Sequence, residues 1–379
     1  MHQDTFQDIA PAPTRGTTHD IAPAPTRGTT HDVAPAPTRG TSHDIALDPD
    51  RGATHDATPA PDRTTAHDIA RGPALGGIHV PLVTPFTPAG DVAVAALEAL
   101  AHEALDAGAV GIVALGTTAE SASLDEAERD LVTGVCAGVC RERGALLTVG
   151  AGASATRAAE AALVRLARWP EVGAALVTVP PFVRPSAAGV LAHFGRLVEV
   201  SPVPLIVYHV PYRTGQRLDA AALAALGSLP GVVGVKYACG GIDQDTVELM
   251  GGLPAGFAAL AGDDAYLSPM LALGAVGGIL ASAHLATERF VDLAAAWEAG
   301  DVPRARALGH ALARLSAAVF AEPNPVVLKG VLHALGRIPS PDVRLPLLPA
   351  SDAAVGVALT ALAELPAPGP GDAGPPTHP

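Results

Sequence analysis

The chain has 379 residues, of which 49% are hydrophobic, and a formal net charge of −14. This acidic balance argues against a nucleic-acid partner, because binding to phosphates needs a concentrated positive surface. No uninterrupted apolar stretch approaches the ~18 residues of a membrane span, and the residues after Met1 are polar and Pro-rich, unlike a signal peptide. We therefore expect a cytoplasmic enzyme without a membrane partner.

The cysteine content predicts neither disulfides nor a metal site. Three cysteines are too few for a disulfide framework. Cys136 and Cys140 lie four residues apart in a helical pattern, where a free cysteine is usually a small core residue. Since no histidine pair lies nearby to complete a metal site, we expect no metal.

The first 75 residues form a degenerate twelve-residue repeat. A full unit, such as residues 19–30, has one or two aliphatic side chains among Pro, Gly, Thr and Asp. So little apolar surface cannot offset the entropy of ordering the chain, and the repeat predicts a disordered, polyproline-leaning tail. The recurring His-Asp pairs leave weak metal binding as an alternative. Residues 366–379 are predicted to form a second disordered tail, rich in Pro and Gly.

Between these tails, short apolar runs alternate with amphipathic stretches, as in βα units around a parallel sheet. Eight strands in about 205 residues indicate an α/β fold, a (β/α)8 TIM barrel over residues 76–301, rather than an open doubly wound sheet. A helical subdomain is predicted over residues 302–365. The predicted strands are Ile78–Val83, Val110–Leu115, Leu146–Gly150, Ala174–Val179, Leu205–Tyr208, Val232–Lys236, Ala258–Ala261 and Val276–Ala281.

The carboxyl ends of these strands collect the residues that suit amine chemistry. Lys236, one of only two lysines, ends the sixth strand, where burial would lower the pKa of its ammonium and make it nucleophilic. Thr117 and Thr118 lie in a turn that can hold a carboxylate, and Tyr208 can move protons. Each residue alone has an ordinary structural interpretation, but all are predicted at one rim of the barrel. The other lysine, Lys329, is predicted to lie in a C-terminal helix without such neighbours.

The motifs at this rim resemble the dihydrodipicolinate synthase / N-acetylneuraminate lyase family over about residues 76–365. The dihydrodipicolinate synthase branch is the most similar, because Arg213 occupies the position where that branch binds the carboxylate of its aldehyde substrate. The matching segments include Thr84-Pro-Phe, Gly116-Thr-Thr-x-Glu-Ser, Tyr208-x-Val-Pro-x-Arg-Thr-Gly, Gly234-Val-Lys, Gly262-Asp-Asp and Glu322-Pro-Asn-Pro.

The resemblance implies a lyase in lysine and diaminopimelate biosynthesis that condenses pyruvate with L-aspartate 4-semialdehyde. Lys236 would form a Schiff base with pyruvate, so no cofactor would be required. Thr117 and Thr118 would bind the pyruvate carboxylate, Thr117 and Tyr208 would relay protons, and Arg213 would bind the aldehyde. Further substrate-binding positions would be Gly262 and Ile279. Family members are usually homotetramers, each a dimer of dimers.

Two residues depart from the family pattern. Phe182 stands where the branch usually carries a second relay tyrosine, contributed across the dimer interface. Because phenylalanine cannot pass a proton, Tyr212 or a water is a candidate substitute. Ala119 replaces a glycine, which predicts backbone strain if φ is positive there. Two alternatives stay open: another 2-oxo-acid aldolase or dehydratase of the same superfamily, and a non-catalytic paralogue that binds a 2-oxo acid.

Overall fold

The computed structural model describes residues 73–366. The predicted repeat tail therefore lies outside the described residues except at its last three positions, and the predicted Pro/Gly tail lies outside them from residue 367. Within residues 73–366 no helix is long and apolar enough to cross a membrane.

Eight parallel strands close into a barrel in which each strand pairs with the next and the last pairs with the first. This confirms the predicted fold class, and each observed strand overlaps its predicted run. The strands are β1 (Gly77–Pro81), β2 (Gly111–Ala114), β3 (Leu146–Gly150), β4 (Val172–Thr178), β5 (Leu205–His209), β6 (Val232–Tyr237), β7 (Ala258–Ala261) and β8 (Gly277–Ile279).

Helices follow the strands and form the outer layer. Their ends carry ordinary sequence signals: in α2 (Glu126–Arg143), Asp125 and Glu128 form a capping box, and Gly144 ends the helix with φ of 63°. The helices of this layer are α1 (Val94–Asp106), α2 (Glu126–Arg143), α3 (Thr156–Leu166), α4 (Ala187–Val200), α5 (Pro211–Thr214), α6 (Ala220–Gly227), α7 (Gln244–Gly251), α8 (Leu267–Ala272) and α9 (Ala283–Glu298).

The core has two layers because successive strand residues face opposite sides. The larger layer lies between the barrel and its helices, and includes the free thiols of Cys136 and Cys140. Burial raises the pKa of the Cys140 thiol to about 12, which leaves it inert. The smaller layer fills the barrel interior with residues such as Leu75, Ile206, Tyr208, Leu260 and Ile279.

Three more helices follow the barrel: α10 (Val302–Val319), α11 (Val326–Ala334) and α12 (Asp352–Ala363). Helix α10 contacts α9, α12 and the turn that follows β7. This turn lies at the carboxyl end of a barrel strand, so the added helices reach the rim where the candidate site residues are predicted.

Candidate active site

Lys236 lies on β6 directly opposite Tyr208 on β5. Both side chains are buried, and Nζ of Lys236 lies 4.4 Å from the centroid of the Tyr208 ring. The stem of the lysine passes close to Gly262, where a Cβ atom would lie 2.9 Å from Cγ of Lys236. A side chain at residue 262 would therefore displace the lysine.

The surroundings of Lys236 favour its neutral, nucleophilic amine. Burial lowers the pKa of its ammonium to about 8, although the carboxylates of Asp264 and Asp263 oppose this shift. Burial likewise raises the pKa of Asp264 to about 6. The site thus holds an amine and a carboxyl group that can both exchange protons within about two pH units of neutrality.

Tyr208 is placed as a proton donor beside this amine. Burial raises the pKa of its phenol, so the hydroxyl stays protonated at neutral pH, although the nearby side chain of Thr117 opposes this shift. The phenol and the Thr117 hydroxyl therefore form a short path along which a proton can pass.

The turn after β2 brings two threonines to the same place. Residues Thr117–Ala119 form one 3₁₀ turn, and Thr118 accepts a hydrogen bond of 3.0 Å from Nδ2 of Asn324. The strain considered at Ala119 is absent, because that residue is not among the described residues with positive φ. The left-handed conformation occurs at the next residue, Glu120, with φ of 54°.

Arg213 lies on the short helix α5, which follows β5. Its guanidinium carbon lies 5.6 Å from the centroid of the neighbouring Tyr212 ring. Burial raises the pKa of the Tyr212 phenol, and the negative charge of Asp263 raises it further. Asp263 accepts a hydrogen bond from the backbone N–H of Gly240 at 2.6 Å. A cation and a second phenol therefore stand near Lys236 and Tyr208.

One cavity joins these groups. All seven predicted site residues line it: Thr117, Thr118, Tyr208, Arg213, Lys236, Gly262 and Ile279. Phe182 is not among its lining residues; its side chain is 92% exposed and its φ is 70°. Within one chain, the second phenol that lines this cavity is that of Tyr212.

Asp264 and Asn324 line the same cavity, but the sequence analysis did not predict them as site residues. Asp264 is buried and accepts the backbone N–H of Ser282. Its position three residues after the end of β7 was a usable signal, since barrel sites collect at strand ends. Asn324 lies 206 residues from the Thr118 that it contacts, so only the folded chain reveals its place.

Lys329 lies in α11 and makes a contact with the rim that the sequence did not predict. Its side chain is fully buried, and Nζ lies 2.9 Å from Oε1 of Glu120, in the turn that carries Thr117 and Thr118. The same Nζ lies 4.0 Å from the centroid of the Phe86 ring. Lys329 thus joins the C-terminal helices to the rim of the barrel.

No group of three or more metal-ligating side chains that could hold an ion occurs in residues 73–366. The Lys236 cavity is lined by an amine, phenol and threonine hydroxyls, a guanidinium and a carboxyl group.

Comparison with known proteins identifies relatives of this chain. The chain is 38% identical over 279 residues to a 4-hydroxy-tetrahydrodipicolinate synthase of Synechococcus elongatus, covering 73% of the chain and 91% of that protein. It is 36% identical over 293 residues to the same enzyme of Neisseria meningitidis serogroup B, covering 76% and 99%. Dihydrodipicolinate synthase of Acinetobacter baumannii, solved in complex with pyruvate, superposes with a TM-score of 0.73 at 31% identity, covering 76% of this chain and 98% of that one. Residues 74–362 match the model of the dihydrodipicolinate synthetase family. The chain therefore belongs to that family.

Proposed function

We propose that this protein is a 4-hydroxy-tetrahydrodipicolinate synthase, which condenses pyruvate with L-aspartate 4-semialdehyde in lysine and diaminopimelate biosynthesis. The observation that carries the proposal is the buried Lys236, whose pKa is lowered to about 8, beside the phenol of Tyr208. Membership of the family supports the choice of reaction. We further propose the homotetramer that is usual in the family.

In the first step, the neutral amine of Lys236 adds to the ketone carbon of pyruvate. Tyr208 supplies a proton to the carbinolamine oxygen, which leaves as water and gives the imine. Thr117 and Thr118 hold the pyruvate carboxylate, whose charge keeps the ketone carbon in reach of the amine. Loss of a proton from the pyruvate methyl group then converts the imine to an enamine.

In the second step, the enamine carbon forms a bond to the aldehyde carbon of the semialdehyde, and its oxygen takes up a proton to become the hydroxyl. The amine of the bound semialdehyde then adds to the imine carbon, and the bond between that carbon and Nζ of Lys236 breaks. The product leaves as a cyclic imine, and the lysine returns as a free amine. The only other product is the water released earlier, so no oxidant or cofactor is needed.

Arg213 gives the aldehyde its orientation in this scheme. A guanidinium binds a carboxylate through two parallel hydrogen bonds, and Arg213 lines the cavity on the side of Tyr212. An acceptor with a carboxylate is therefore favoured over an uncharged aldehyde.

A second candidate is an aldolase or dehydratase of the same family with a different acceptor. It is favoured by Phe182, which carries no relay hydroxyl, and by Tyr212, which lines the cavity. Both candidates share the imine on Lys236. An aldolase of this kind would differ in the aldehyde that the enamine attacks, whereas a dehydratase would expel water from the bound 2-oxo acid.

A coupled assay separates these candidates. Purified protein is supplied with pyruvate, aspartate semialdehyde and a dihydrodipicolinate reductase, and oxidation of the nicotinamide cofactor of that reductase is followed. We expect turnover that requires all components. Pyruvate consumption without a reducible cyclic product would exclude the synthase, and failure of borohydride to trap pyruvate on the protein would favour the non-catalytic paralogue.

A further inference from the structure

Three contacts connect the segment after α10 to the turn that carries Thr117 and Thr118. Nδ2 of Asn324 donates to Oγ1 of Thr118 at 3.0 Å. Nζ of Lys329 donates to Oε1 of Glu120 at 2.9 Å. The backbone N–H of Arg344 donates to the other carboxylate oxygen of Glu120 at 2.7 Å. Both oxygens of Glu120 are thus engaged by residues more than 200 positions away in the chain.

Glu120 has a backbone conformation that needs such support. Its φ of 54° is in the left-handed region, which costs a residue other than glycine free energy and persists only where its surroundings hold it. Glu120 comes directly after the 3₁₀ turn Thr117–Ala119. The orientation of the two threonines therefore depends on how Glu120 is held.

The burial of this ion pair points to a role beyond stability. The side chains of Lys329 and Glu120 are 0% and 1% exposed. Burying two charges costs desolvation free energy, which cancels much of the attraction between them. Two apolar residues at these positions would therefore stabilise the fold about as well. An ion pair does offer one thing that an apolar contact lacks, which is a fixed direction between its atoms.

We propose that the buried Glu120–Lys329 ion pair positions Thr117 and Thr118 to bind the substrate carboxylate. Neither residue lines the Lys236 cavity, so both are positioning residues. This inference rests on the proposed function, because it assigns the carboxylate of a 2-oxo acid to this turn. It makes the C-terminal helices part of the substrate-binding apparatus.

The test compares pyruvate binding in the wild type and in two variants. The double variant Glu120→Gln, Lys329→Met removes both charges at nearly constant volume, so neither charge is left buried alone. The variant Glu120→Asp keeps both charges, shortens the carboxylate arm by one methylene and tolerates a left-handed φ. The measured quantity is the pyruvate concentration that gives half-maximal borohydride trapping on Lys236, together with the melting temperature.

We expect the pyruvate concentration for half-maximal trapping to rise about tenfold in both variants. The trapped fraction at saturating pyruvate should stay near that of the wild type, because the positioning of the threonines affects pyruvate binding and not the reactivity of the Lys236 amine. The control is Arg141→Met, Glu171→Gln, which removes an ion pair of 2.8 Å whose residues do not line the Lys236 cavity and should leave pyruvate binding unchanged.

The outcomes separate this inference from the proposed function. If the wild type is trapped and a variant that melts at the wild-type temperature has unchanged half-saturation, the positioning role is overturned while the proposed function stands. If the control shows the same rise as the variants, the effect is not specific to this pair and the inference is also overturned. If the wild type itself gives no adduct, the proposed function fails, and the positioning role fails with it.

Discussion

Lys236 and Tyr208 are paired in register on adjacent parallel strands, with the lysine Nζ 4.4 Å from the centre of the tyrosine ring. Because both side chains point into the barrel, the strand pairing itself sets the distance between nucleophile and proton donor. The nucleophile and the proton donor are therefore held by the barrel strands themselves, which favours a fixed geometry for catalysis.

The rate of imine formation should depend on pH through Lys236. Its pKa is lowered to about 8, so the reactive neutral fraction falls about tenfold for each pH unit below that value. We expect the rate constant of pyruvate trapping, at limiting pyruvate, to rise from pH 6 to pH 8 and to level off above it. A profile that continues to rise to pH 10 would show an unshifted lysine.

Tyr208→Phe should slow turnover without abolishing binding. Loss of a general acid lowers kcat by about 10²–10⁴-fold, while the ring that packs against Lys236 is retained. We expect kcat in the coupled assay to fall in this range and the melting temperature to change little. A variant with wild-type kcat would remove Tyr208 from the mechanism.

Tyr212 is expected to provide the second phenol of this site, in place of the tyrosine that Phe182 replaces. Tyr212→Phe should lower kcat by about tenfold or more, because it removes an acid–base group from the cavity. Tyr266→Phe is the matched control, since Tyr266 does not line the Lys236 cavity. Equal kcat values for the two variants would exclude a relay through Tyr212.

Acid should destabilise the barrel through buried neutral histidines. Burial lowers the pKa of His284 to about 4, and its Nε2 accepts the backbone N–H of Val83 at 3.2 Å. A histidine with a lowered folded-state pKa contributes stability that is present above pH 6.5 and is lost as the pH falls through 4. Between these pH values, protonation of His284 is expected to lower the free energy of unfolding by about 3 kcal/mol.

Denaturant unfolding of the wild type and of His284→Gln at pH 7 and pH 4 measures this loss. On acidification, the free energy of unfolding of the variant should fall by about 3 kcal/mol less than that of the wild type, independent of the stability of the variant at pH 7. The difference removes the contributions of other groups, including Asp264, whose raised pKa acts in the opposite direction. Equal losses in the two proteins would show that His284 does not titrate in this range.

Removal of residues 1–72 should leave turnover unchanged, because every candidate site residue lies in the barrel and its added helices. The deletion should stop before Leu75, which is buried in the barrel interior and accepts a hydrogen bond from His79 at its backbone oxygen. The coupled assay on the shortened chain checks this expectation. A large loss of kcat would assign the repeat a role in the enzyme.

The sequence predicted the strands well because parallel strands buried on both faces are continuous apolar runs. It also predicted which residues meet at the rim, because the carboxyl ends of all barrel strands lie at the same rim, independent of the loop conformations. It did not predict the contact of Lys329 with Glu120, because nothing local couples residues 209 positions apart. The left-handed backbone conformation that we considered at Ala119 occurs at Glu120, because Ala119 is the last residue of the 3₁₀ turn and Glu120 is the residue that ends it.

The most direct test of the account is borohydride reduction of the full-length protein with pyruvate, followed by peptide mass mapping. We predict one adduct per chain on Lys236, with the mass of pyruvate less water plus two hydrogens, and none on Lys329. Lys236→Arg should abolish the adduct. Trapping on Lys329, or no trapping at saturating pyruvate, would contradict the assignment of Lys236 as the nucleophile.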